Sequence, residues 1–170
     1  MEEMIMKTNK ARFLAHGAIL AALYAVLTHL QNILLPGSAT WAIQMRMSEA
    51  LCVLAFFTPA APVGLAIGCL VFNLTFSAAL PLDFLIGSAA TYLACKGMWL
   101  CRKKPAIALS FPAITNALLV GWELTVYIGG GFWLNALYVA LGELIVLYLP
   151  GAGLYRVLKS RGLEQRLSEA

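Results

Sequence analysis

Charge is what this 170-residue chain has least of: 12% of its residues are charged against 61% hydrophobic, with a mean hydropathy of +0.82. That balance places the one domain such a length allows in a bilayer rather than in water. Chemistry-bearing motifs are missing too. Without a GxxxxGK[ST] loop the chain has no phosphate cradle of its own. No HExxH, no GxSxG and no paired membrane aspartates in a glycine context occur, which argues against an intramembrane hydrolase. Cys52, Cys69, Cys95 and Cys101 show neither CxxC nor Cys/His ligand spacing, so no metal site is expected and they read as small hydrophobes. The formal charge of +4 is no nucleic-acid signal, because the basic residues sit between and beyond the apolar runs. Internal repeats, low-complexity segments and a soluble domain are absent, and residues 157–170 carry no assignable chemistry.

What is present is a series of long apolar runs. A crossing helix needs about 20 apolar residues for roughly 30 Å of hydrocarbon. The first run, Phe13–Leu35, is too long for a signal-peptide core and is followed by further runs, so it reads as a mature helix. Pro59 and Pro62 interrupt the next stretch, since an interior proline removes a hydrogen bond and clashes with the preceding turn. The spans then fall at about 13–35, 44–57, 63–80, 82–100, 106–128 and 132–155: an all-α, six-helix polytopic bundle. With the N-terminus inside, Lys7, Lys10, Arg12, Lys96, Arg102, Lys103, Lys104, Arg156, Lys159, Arg161 and Arg166 all lie on the cytoplasmic side, eleven of the 12 Lys and Arg. Merging the second and third spans would put the 102–104 cluster and the C-terminus outside. Six crossings, with both termini cytoplasmic, are therefore expected. Arg46 is the exception, at the outer mouth, where it has no topological role.

Arg46, Glu49, Asp83, Glu123 and Glu143 lie in or at the edge of apolar spans, where a charge costs a few kcal/mol and marks a functional site by default. Glu49 and Asp83 are expected in the outer turns, Glu123 roughly 8 Å and Glu143 roughly 16 Å from the outer ends of theirs. Asn116 reaches the midplane and Asn73 the outer half. The inner half carries almost no acid, which describes a pocket open outward rather than a polar path through the membrane. Structural alternatives stand beside each residue. Arg46 and Glu49 are neighbours at i,i+3 and pair on one face; Asp83 caps a helix; Asn73 and Asn116 bond across helices; Glu123 balances Arg46.

Trp41 and Trp122 stand near this entrance with Tyr127, Phe132, Trp133 and Tyr138. They form either an interfacial belt or a stacking platform worth about 1–3 kcal/mol per base-like ring. Carboxylates, amides (Gln44 among them) and rings together suit a flat heterocycle with adjacent N–H donors. A guanine-like edge offers two donors that one carboxylate accepts as a fork. One arginine against four acids leaves excess negative charge, which favours a cationic ligand or a protonated acid. On the first span, Ala18 and Ala22 stand four apart, with Gly17, Ala21 and Ala25 on an adjoining stripe. Small residues at that spacing admit another helix, either inside the bundle or from a partner.

"WAIQMRMSEAL", "GLAIGCLVFNL", "LDFLIGSAATYLA", "ITNALLVGWEL" and "LGELIVLYLPG", in that order, make residues 13–155 resemble the QueT family, substrate-binding S components of energy-coupling factor (ECF) transporters. The resemblance implies the six-helix S-component fold in a bacterial plasma membrane. It implies capture of a queuosine precursor, a 7-deazaguanine such as the 7-aminomethyl or 7-cyano base, or queuine. It also implies a transmembrane coupling protein and two cytoplasmic ATPases that use the ATP, this chain binding no cofactor. On that reading Glu49, Glu143 and Asn116 hold the base edge, and Arg46 orients Glu49 or meets a carbonyl. Asp83 and Glu123 meet the substituent, Trp41 or Trp122 stacks, and the alanine stripe meets the coupling protein. The rivals are an S component for another planar vitamin-like solute, an intramembrane enzyme, and an oligomeric channel.

Overall fold

A computed structural model describes residues 2–38, 43–76 and 79–162, with side chains from residue 10 onward. Among these residues the regular structure is all helical, with no strand. The helices are α1 (Glu2–Leu34), a 3-10 helix (Met47–Phe56), α2 (Ala61–Thr75), α3 (Asp83–Leu100), the short α4 (Pro105–Ala108), α5 (Phe111–Tyr127), α6 (Phe132–Val146), a π turn (Leu147–Gly151) and α7 (Ala152–Ser160). Lys10–Leu34, Pro105–Tyr127 and Phe132–Ser160 are each long and apolar enough to cross a membrane, and Met47–Phe56 and Ala61–Thr75 are shorter apolar helices.

Proline sets several boundaries. Pro62, Pro105 and Pro112 sit in the first turns of α2, α4 and α5, where the missing N–H costs nothing. Pro150 is the exception, inside the helical path, and the wider π turn around it accommodates the lost hydrogen bond. The run 132–155 is thus a helix with one loosened turn rather than a uniform one.

The bundle is an arc in which α1 packs on α2, α2 on α3, α3 on α5 and α5 on α6; the 3-10 helix lies inside it, touching α1, α2, α3, α6, α7 and the π turn. Close approach of α1 and α2 depends on glycine. A Cβ on Gly68 would lie 2.6 Å from the Ala21 carbonyl oxygen, and one on Gly64 2.7 Å from that of Gly17. The stripe of small residues on α1 therefore divides: Ala21 is turned to α2 and Ala25 is buried, whereas Ala18 and Ala22 remain exposed. The expectation that Ala21 and Ala25 meet a partner along with Ala18 and Ala22 is corrected, because the adjoining stripe is engaged inside the bundle.

Polarity is distributed inside out. Arg46, Glu49, Asp83, Glu123 and Glu143 are all buried, while Leu14, Val26, Ile33, Ile114 and Val126 are exposed. In water this surface would be an aggregation hazard; against hydrocarbon it is the expected arrangement.

Candidate functional site

The second apolar stretch carries the site because of its helix type. Three residues per turn eclipse i and i+3, so Glu49 and Cys52 fall in one row, while Arg46 precedes the helix in extended conformation. A 3-10 helix also rises about 2.0 Å per residue. Ten residues cover about 20 Å, against about 15 Å for an α-helix. Burial of Ser48, Glu49, Cys52, Val53 and Ala55 holds this uncommon length in place. Side-chain bonds fix it to α1: Thr28 Oγ1 and Ser48 Oγ lie 2.6 Å apart, Gln31 Nε2 donates to the Met45 carbonyl at 2.6 Å, and Met47 N donates to Gln31 Oε1 at 2.8 Å.

Glu49 lies at the deep end of that ladder. Its Oε1 accepts from the Tyr24 hydroxyl and from Thr91 Oγ1 at 3.3 Å, and its Oε2 from the Cys52 thiol at 3.1 Å. Tyr24 is ten residues below Leu34, about 15 Å down α1. Glu49 is therefore near mid-helix rather than in an outer turn, because the chain before Met47 already descends in extended form. Glu143, on α6, accepts from Asn116 Nδ2 of α5 at 2.8 Å through Oε1, and its Oε2 has no partner.

Arg46 reaches Asp83 at 3.8 Å and not Glu49; it also donates to Cys69 Sγ at 3.5 Å and its guanidinium lies 5.5 Å from the centre of the Phe72 ring. The expected Arg46–Glu49 pair is thus replaced: Arg46 precedes the 3-10 helix in extended conformation and turns to Asp83, while Glu49 inside the helix meets Tyr24. Asp83 is the first residue of α3 but makes no capping bond: Leu82 occupies the cap position without one. Asn73 Nδ2 donates to the Asp83 carbonyl at 2.8 Å, leaving its Oδ1 and the Arg46 Nε without partners. Glu123 is 0% exposed, and neither of its carboxylate oxygens has a partner. It feels the charges of Asp83 and Arg46 without bonding to either.

The structure therefore brings together Arg46, Glu49, Asn73, Asp83, Asn116, Glu123 and Glu143. Gln44 is half-buried at the edge, its backbone pressed on Gly142 so closely that any Cβ there would collide with the Gln44 carbonyl. Trp122 is 50% exposed, on the same face of α5 as Leu118 and Val126, about 100° from Glu123. It belongs to the lipid-facing surface and not to the cluster, so its stacking role is withdrawn. Trp41 lies outside the described residues. Tyr24 and Thr91 carry no motif that marks them, and Cys52 and Cys69, expected as small hydrophobes, take part in the hydrogen bonding. The signal for Tyr24 is its spacing: Leu20, Tyr24, Thr28 and Gln31 form one buried stripe on a span otherwise turned to lipid. No metal-binding group of three His, Cys, Asp or Glu exists among the described residues.

An apolar helical exterior around a buried, partly unpartnered polar cluster defines a membrane protein. The family model described as QueT transporter matches residues 14–160, and the chain belongs to that family. It is a membrane transport protein. Neither the curated proteins nor the solved structures offer a match.

Proposed function

We propose that the chain is the substrate-binding S component of an ECF-type importer in a bacterial plasma membrane, capturing a 7-deazaguanine queuosine precursor from outside. The observation that carries this reading is an excess of bare acceptors. Glu123 Oε1 and Oε2, Glu143 Oε2 and Asn73 Oδ1 are buried without partners, against one bare donor in the cluster, Arg46 Nε. An unmet buried polar atom costs about 1–3 kcal/mol, more if charged. The fitting ligand is rich in N–H donors and poor in acceptors. A guanine-type edge presents adjacent ring and exocyclic N–H groups to a carboxylate, and one carbonyl oxygen to a donor such as Arg46. Glu143, steadied by Asn116, is the fork for that edge.

Six crossings with both termini inside complete the reading. The 3-10 helix, about 20 Å long, counts as a crossing together with the extended residues that lead into it, and the Arg102–Lys104 cluster then falls on the cytoplasmic side with Arg156, Lys159 and Arg161. ATP is used by two partner ATPases, reached through a coupling protein that meets Ala18 and Ala22.

Replacing Glu143 with Gln keeps the shape and removes one accepting oxygen from the fork, so affinity for 7-deazaguanines should fall about 100-fold, corresponding to about 2.7 kcal/mol. Calorimetry on purified protein measures it; unchanged affinity removes Glu143 from the site. Reconstitution decides the class. Uptake into liposomes that needs the coupling protein and ATPases supports the importer, and flux from this chain alone would replace it with a channel.

A further inference from the structure

The site has two ends, and they are not chemically equal. Asn116 and Glu123 stand seven residues apart on one face of α5, two turns and about 10 Å along the axis. At the Asn116 end, Glu143 is already tied to an amide, which fixes one oxygen and points the other at a ligand. At the Glu123 end the only cation of the cluster, Arg46, is taken by Asp83, Cys69 and the Phe72 face. Glu123 thus has full burial, two bare oxygens and no counter-charge within bonding distance. A carboxylate in that state is stabilised by a cation, and the described residues supply none within bonding distance.

We infer that Glu123 alone is the counter-ion for a cationic arm on the ligand, a primary or secondary ammonium, and that it makes the site selective for the charged substituent over a neutral one. This rests on the deazaguanine reading above and narrows it: Asp83, first grouped with Glu123, is Arg46's partner rather than the ligand's. The base edge sits at Glu143 and Asn116, and the arm points outward along α5. Glu143 then determines affinity for every member of the class, and Glu123 determines discrimination within it.

The test is a set of calorimetric titrations of the full chain in detergent with 7-aminomethyl-7-deazaguanine, 7-cyano-7-deazaguanine and unsubstituted 7-deazaguanine. Wild type should favour the aminomethyl base by about 30-fold, the size of one charge-assisted bond pair in a buried site. In Glu123→Gln that preference should collapse to within about threefold, with cyano-base affinity little changed, whereas Glu143→Gln should weaken all three together. A wild type that binds the bases without preferring the charged one, or a Glu123→Gln variant that keeps the preference, overturns the inference and leaves the functional reading standing. A wild type that binds none of the three overturns both. The wild-type comparison needs no variant, so it can overturn the inference even if Glu123→Gln does not fold.

Discussion

Glu49 and Glu123 are both buried glutamates, yet their surroundings are opposite. Glu49 accepts from Tyr24, Thr91 and Cys52, donors from α1, α3 and its own helix. Glu123 accepts from nothing. A carboxylate that three elements converge on is part of the scaffold, because its removal strands their donors. A carboxylate that no protein group satisfies costs the empty protein free energy, and its natural partner is a ligand. The same residue type thus does two jobs, and the hydrogen-bond partners separate them where burial does not.

The largest test of that contrast is stability without ligand. Glu49→Ala leaves the Tyr24 and Thr91 hydroxyls unmet in a buried setting and should cost about 3–5 kcal/mol, read by denaturing-detergent titration. Glu123→Gln breaks no bond and should not lower stability at all. Equal losses for the two would erase the distinction. A sharper cut is Tyr24→Phe, which removes one donor and keeps the ring. It should cost about 1–2 kcal/mol, and combined with Glu49→Gln the two effects should fall short of additive, as for groups in direct contact. Additivity would mean that the Tyr24–Glu49 bond contributes nothing.

Much of the architecture was legible in composition. The apolar runs, the proline boundaries and the buried charges all follow from hydropathy and from the cost of ions in hydrocarbon. The burial of these acids was legible for the same reason: Glu143 in "LGEL" and Glu123 in "GWEL" lie inside apolar runs, and both are buried. Their partners were not. At i,i+3, Arg46 and Glu49 look paired if both lie on one helix, but Arg46 stands before the 3-10 helix in extended conformation and turns to Asp83, while Glu49 inside it meets Tyr24. Trp122 adjoins Glu123 in sequence, yet a helix turns neighbours by about 100°, which is enough to leave the ring in lipid. Ala21 and Ala22 likewise divide between an internal contact and the exterior, a choice made by Gly64 and Gly68 on another helix.

The smallest effect concerns the outer part of the α1 ladder, where satisfied groups are many and individually weak. Thr28 Oγ1 lies 2.6 Å from Ser48 Oγ but also donates to the Tyr24 carbonyl of its own helix at 2.7 Å. Thr28→Val therefore leaves Ser48 short of one partner while the helix keeps its backbone bonds. Hydrogen bonds between membrane helices average about 0.6 kcal/mol, and a loss near that value is expected, with deazaguanine affinity unchanged because Glu143 and Glu123 are untouched. If Thr28→Val instead weakened ligand binding as much as Glu143→Gln, the ladder would be part of the recognition surface, and the line drawn between saturated scaffold and bare site would lie further out than Glu49.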